Sequence, residues 1–286
     1  IPVRHDYYNL GQYFTEKPWN AMGWIPLPLY PFLIGLGYIL PLDLSFSLWF
    51  FYIFRKLQEV FTSAMGIRLP RFPYLSEQSA GAWFGLFVIA IWVTRRHLIE
   101  VFKKVFGLNT TLDDSEEPLS YRMAFTFIAI SSAFILWFCL RAGMTPGIII
   151  AFFAIFYAFS VAITRARAEL GPPAHEMAGM MNSQQILLNF LGTRRFGANN
   201  LTVSMYFWFF SGRGYREHIM PHQLEGFKMA ERAKVSSKRL VLAMSIAIVL
   251  GSLASFWALV SELYRIGGEN GPSVGHIGQF NWLANE

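Results

Sequence analysis

The sequence predicts an all-α, polytopic transmembrane helical bundle, and three observations predict it. Only 15% of the 286 residues are charged while 54% are hydrophobic, against about one quarter charged in a soluble globular chain. The apolar residues fall in long blocks nearly free of charge, and a block of about 18 or more reads as a spanning helix. The basic residues gather at the ends of those blocks, where anionic headgroups and the positive-inside rule place them. The formal net charge of +6 therefore points to lipid and away from nucleic acid as a partner. Cys139 is the sole cysteine, so no internal disulfide can form.

About five spans follow in order. Residues 25–42 are the first, interrupted by Pro26, Pro28, Pro31 and Pro41, so a kink or a late start is expected. Residues 79–94 form a short second span. Residues 121–140 form the third, and residues 146–163 the fourth, opened by a proline where a helix tolerates it. Residues 240–260 form the fifth. Two further apolar runs, 44–54 and 201–210, are too short to cross: ten or eleven residues reach about half the hydrocarbon thickness. Each is followed by a stretch of mixed polarity and then by a span, so the order repeats.

Basic residues mark the connections. Arg95, Arg96, Lys103 and Lys104 follow the second span, only Arg141 separates the third from the fourth, and Arg165, Arg167, Arg194 and Arg195 follow the fourth. Basic loops lie on the cytoplasmic side. Closing that topology makes both short runs re-entrant or half helices in two units of opposite orientation, an inverted repeat. Such paired short segments point to a transporter's substrate site, because unwound backbone at membrane depth survives only in protein or beside water. The plainer reading is a pair of interfacial helices. Residues 1–24 read as an N-terminal extramembrane segment without a secretory h-region, residues 25–267 as the transporter-like region, and residues 268–286 as a C-terminal tail. The chain, which opens on Ile1, reads as part of a longer protein.

The sharpest chemical feature ends the fourth span: Arg165, Arg167, Glu169, then Gly171, Pro172 and Pro173. Gly171 suits a left-handed helix cap and the prolines cannot continue the helix. Arg165 and Glu169, four apart, share a face, and Arg167 points roughly the other way. Charges near lipid depth face a wet interior and pair, which suggests an anion-handling or gating site. The alternative is a basic helix end snorkelling to headgroups. Asp43, Ser45 and Ser47 open the first short run, with Asp43 placed to cap a helix after Pro41; Asn199, Asn200, Thr202 and Ser204 open the second in the same way. Either set could offer hydroxyls and amides to a polar solute or could simply cap its helix. His218 and His222 have the spacing of a metal-binding pair, and His175 with Glu176 is the other candidate, but Pro221 interrupts the first. They are weak metal candidates, and no cofactor is expected. The basic stretch from Arg95 to Lys104 is interleaved with apolar residues, a membrane-surface pattern. No Walker A, nucleophile-elbow or dinucleotide motif is present.

Four stretches together, SFSLWFFYIFRKLQ (45–58), EQSAGAW (77–83), TRARAELGPP (164–173) and IMPHQLEGFKMAE (219–231), resemble a bacterial membrane protein family of unknown function. That family is distantly similar to the oligopeptide-transporter (OPT) superfamily. The resemblance covers residues 24–267. It implies a helical, transporter-like fold with re-entrant elements, carried in a longer protein. The Asn-Pro-Gly signature of oligopeptide transporters is absent, which argues against a peptide substrate, and no binding residue carries over. The leading expectation is a secondary transporter of a small polar or anionic solute, driven by a coupling ion, in the bacterial inner membrane. The others are a structural or accessory subunit of a larger membrane complex, with other membrane subunits as partners, and a membrane metalloenzyme built on the histidines.

Overall fold

The computed structural model describes residues 8–27, 30–115, 117–171, 182–211 and 218–266. A two-residue antiparallel pair, β1 (Tyr8–Asn9) with β2 (Pro26–Leu27), is the only sheet among them. The rest is helical: α1 (Pro31–Ile39), α2 (Leu42–Ala64), α3 (Leu75–Val105), α4 (Tyr121–Arg141), α5 (Pro146–Leu170), α6 (Ser183–Phe196), α7 (Ala198–Tyr206), α8 (Trp208–Ser211), α9 (Ile219–Arg232) and α10 (Ser237–Ile266). Among the described residues, four helices, α3, α4, α5 and α10, are long and apolar enough to cross a membrane. The chain is a multi-pass membrane protein with an all-α fold.

The structure redraws four sequence segments. The span expected at 25–42 does not form: residues 26–27 are a strand, and α1 is a nine-residue helix, about 14 Å long and well short of a bilayer. The prolines explain it, because Pro31 opens α1 and Pro41 disfavours helical backbone at Leu40, so α1 ends there before α2 starts. The short run 44–54 is not separate from the mixed segment after it; both lie in the continuous 23-residue α2. The run 201–210, in contrast, breaks into α7 and α8 at Phe207. The two short runs thus take different forms. Likewise the second span, expected at 79–94, is the middle of the 31-residue α3, which carries Arg95, Arg96, Lys103 and Lys104 on its own continuation.

The chain forms two compact units. In the first (residues 1–112 and 121–225), α5 is the centre. Phe159 and Ile163 pack with Ala80, Trp83 and Phe84 of α3 and Ile186 of α6. Phe152 packs with Leu187 and Phe196. Ile149 packs with Cys139, Met144 and Val203. Residues 80–84 of α3 sit beside Phe159 and Ala90 beside Arg165, so α3 and α5 run the same way with α4 reversed between them in sequence.

The α4–α5 connection is held tightly. Met144 N donates to Cys139 O and Gly143 N to Leu140 O, with Gly143 at φ 93°. That is a Schellman ending, in which a left-handed residue lets the last carbonyls find partners. Arg141 and this turn leave only Ala142 to Thr145 between the two helices. In the second unit (residues 113–120 and 226–286), Gly226 of α9 faces Leu240 and Met244 of α10, and Lys238 donates to the Ser115 carbonyl at 3.1 Å.

Candidate functional site at the charged end of α5

α5 ends where the sequence says it should. Gly171 takes φ 60° and ψ 36°, and its N–H bonds to the Arg167 carbonyl, a left-handed cap that a side chain would strain. Pro172 and Pro173 lie outside the described residues, as do His175 and Glu176.

The three predicted charges divide as their spacing requires. Arg165 Nη2 meets Glu169 Oε1 at 2.6 Å across one helical turn, and its Nη1 lies 3.5 Å from the Ala90 carbonyl in the middle of α3. Arg167, two residues on, faces elsewhere: its Nε donates to Glu225 Oε1 of α9 at 2.5 Å. Glu225 Oε2 in turn lies 3.7 Å from His222 Nδ1. Arg167 is the least exposed of the set at 20% of its side chain, against 28% for Arg165 and 58% for Glu169. Its Nη1 is buried and has no hydrogen-bond partner among the described residues. An unmatched guanidinium N–H out of water is costly, so a further oxygen acceptor at this atom would be favourable.

Polar groups continue from this point into the protein. Ser160 and Thr164 are buried on α5, with hydroxyls returned to the Phe156 and Ser160 carbonyls. α6 packs back along α5, Ile186 against Phe159 and Ile163 and then Leu187 against Phe152. Its start, Asn182, Ser183 and Gln184, therefore lies at the Thr164–Arg167 end. All three are buried. Asn182 and Gln185 form a reciprocal capping box, at 2.8 and 3.3 Å. Ser183 Oγ is fully enclosed and, like Arg167 Nη1, has no hydrogen-bond partner among the described residues. A helix N-terminus carries partial positive charge, and this one starts toward the end of α5 that carries Arg165 and Arg167.

The other predicted residues are occupied locally. Asn200 is buried and joins α7 to the start of α5: its Oδ1 accepts from Thr145 N at 2.8 Å, and its Nδ2 donates to Thr145 Oγ1 at 3.1 Å and to Phe196 O at 2.6 Å. Ser204 is fully buried and donates to the Leu201 carbonyl, and Thr202 to Ala198. Asn199 is exposed beside Gly143. Pro41, not Asp43, is the residue before α2, and Asp43 is an exposed acid in its first turn. Ser45 is half-buried on the next turn, and Ser47 donates to the Asp43 carbonyl at 2.8 Å.

His218 and His222 meet different neighbours. His218 stands edge-on to Phe156, ring centroids 5.8 Å apart, just before α9 begins, while His222 turns to Glu225. Pro221 sits in the first turn of α9. No group of three His, Cys, Asp or Glu residues suited to a metal occurs among the described residues.

Glu225, Asn182 and Ser183 were not foreseen from the sequence. The Asn-x-x-Gln spacing at 182–185 is a capping-box signature that marks the helix start, but nothing local announces that Glu225 reaches a residue 58 positions away.

One family model matches the chain, over residues 1–284, and it describes a family of unknown function. The chain belongs to that family, DUF6785. No curated protein and no solved structure matches it. The ion-pair cluster at the end of α5 is thus a feature of a DUF6785 chain read from its own geometry.

Proposed function

We propose that this membrane protein is a secondary transporter of a small anionic solute, with Arg167 as the anion-contacting group. The observation that carries the reading is the buried Arg167 Nη1 without a hydrogen-bond partner among the described residues, at the end of the most enclosed span. Three features support it. Ser183 Oγ and the α6 N-terminus supply further donors at the same end. The Arg167–Glu225 pair offers a carboxylate that an incoming anion would displace or that a coupling proton could neutralise. The sequence resemblance to a bacterial, OPT-like family favours transport over catalysis and a bacterial inner membrane setting.

The test is uptake into proteoliposomes, with inorganic phosphate, simple mono- and dicarboxylates and a neutral dipeptide as probes, under an imposed pH or sodium gradient. Saturable uptake of an anion that Arg167→Ala reduces at least tenfold, that Arg167→Lys partly restores and that Arg165→Ala changes less supports the reading. No anion uptake, or equal uptake by the Arg167→Ala variant, overturns it.

A second reading, a structural subunit of a larger membrane complex, rests on α10, none of whose apolar window is buried within the chain. Native mass spectrometry from mild detergent that releases a stoichiometric partner favours this alternative.

A further inference from the structure

The segment from residue 23 to residue 54 contains one charged residue, Asp43, and its two ends lie at one level. Lys56 Nζ donates to the Met22 carbonyl at 2.5 Å, and the helical turn at Trp19–Met22 packs against α2. α2 begins at Leu42, fourteen residues before Lys56, which at about 1.5 Å per residue is about 20 Å. The chain leaving Met22 must therefore rise by about that distance along α2 before α2 brings it back, and the reach of one lysine side chain is too short to change this. α1 lies on the rising limb. The tip is Leu40–Pro41, both residues extended (ψ 146° and 140°) between the two helices.

Most described residues above the base are apolar and exposed, with Leu44 buried and Asp43 the one charge. α1 exposes Phe32, Ile34 and Ile39, and α2 exposes Leu48, Trp49 and Phe51. Phe46, Phe50 and Phe54 stack along one side of α2, with ring centroids 5.2 and 6.5 Å apart. The base, in contrast, is polar and tied down. Lys56 pairs with Glu59 at 3.2 Å, Gln58 and Gln78 exchange amide hydrogen bonds at 2.8 and 3.3 Å, and Arg71 meets Glu77 at 3.8 Å. Gln78 is in the first turn of α3, so the base lies where α3 starts its crossing. Apolar helices that stand on a headgroup-level polar base and expose aromatic side chains on all sides are solvated by acyl chains.

We infer that α1 and the first half of α2 form a re-entrant hairpin that dips into the bilayer from the face on which α3 begins and returns to that face without crossing. Its height of about 20 Å falls short of the roughly 30 Å hydrocarbon core. Its surface is covered by lipid, its base is held by Arg55 and Lys56 at the headgroups, and Asp43 sits one turn from the tip, at the positive end of α2.

The single cysteine makes the test direct. In a Cys139→Ser chain reconstituted in liposomes, one cysteine is placed at a time by Gln58→Cys, Ser76→Cys, Leu48→Cys or Ile39→Cys. The cysteines at 58 and 76 are expected to react with an impermeant maleimide from one and the same side. Those at 48 and 39 are expected to react from neither, and nitroxides there to be relaxed by oxygen at least fivefold more than by a water-soluble nickel chelate. Labelling at 39 from the face opposite to 58 means a full crossing and overturns the hairpin. Strong nickel relaxation at 48 means a surface helix in water, and exclusion of both relaxants means a protein covering; either overturns it. Hydrogen exchange of the unmodified protein in nanodiscs guards against variant misfolding. Protection of residues 46–53 matching that of α4 supports the proposal, and exchange as fast as in α9 overturns it.

Discussion

α4 and α5 are neighbours in sequence and nearly equal in mean hydropathy, yet 44% of the apolar window of α5 is buried in the protein and only 6% of that of α4. Water sorts a soluble helix into an apolar inside and a polar outside. Lipid does not, because acyl chains are as apolar as leucine. What distinguishes α5 is packing: Phe152 and Phe159 have no exposed surface, Ala158 and Ala162 let neighbours approach, and Ser160 and Thr164 satisfy their hydroxyls on their own helix. α4 turns Phe127, Ile128, Ile130 and Phe134 outward, where lipid suffices.

The sharpest way to break this contrast is truncation. Phe159→Ala should destabilise the protein by about 3–5 kcal/mol, the usual range for an enclosed phenylalanine, while Phe134→Ala should cost well under about 1 kcal/mol because lipid refills its place. Equilibrium unfolding in mixed micelles measures both, and equal losses would show that α5 is not the core. Next in size is overpacking. Ala162→Leu should cost about 1–3 kcal/mol, and Ala133→Leu on α4 should be near neutral in the same assay.

Smaller again is the tie between α7 and the start of α5. Asn200→Ala removes one acceptor and two donors from buried partners and should cost about 1–2 kcal/mol, against little for the exposed Asn199→Ala. The smallest effect belongs to a solvent-facing pair on α9. The Lys228 ammonium bonds to Glu231 at 2.7 Å and holds its carboxyl below the usual carboxylate range. A lowered pKa in the folded state means that the contribution is present above the ordinary value of 4.5 and disappears as pH falls through the lower, folded value. Lys228→Ala should therefore move the Glu231 titration upward in a carbon-detected NMR experiment, and high salt should erase the difference.

These contrasts also show what the sequence could disclose. α4, α5 and α10 were legible because their apolar blocks are unbroken, and the cap at Gly171 because glycine before two prolines has few other uses. The opposite facing of Arg165 and Arg167 followed from helical spacing alone. The length of α2 was not legible: Arg55, Lys56 and Glu59 end the hydropathy of the run at Phe54 without ending its helix, because helices tolerate charge wherever one side meets a polar surface. The prolines of residues 25–42 predict a kinked or late-starting span, whereas they bound a two-residue strand, a nine-residue helix and the extended Leu40–Pro41 link. Glu225 was missed because its partner is remote in sequence, and the buried state of Asn200 because an amide that caps another helix is written like one that awaits a ligand.

Two arginines two positions apart grip different neighbours at the end of α5. Arg165 reaches the backbone of α3, and Arg167 holds the carboxylate of Glu225. The helix end is thereby clamped against torsion: a roll about its long axis in either sense releases one hand before the other. A roll of α5 at this end would have to break the Arg165–Ala90 contact or the Arg167–Glu225 pair.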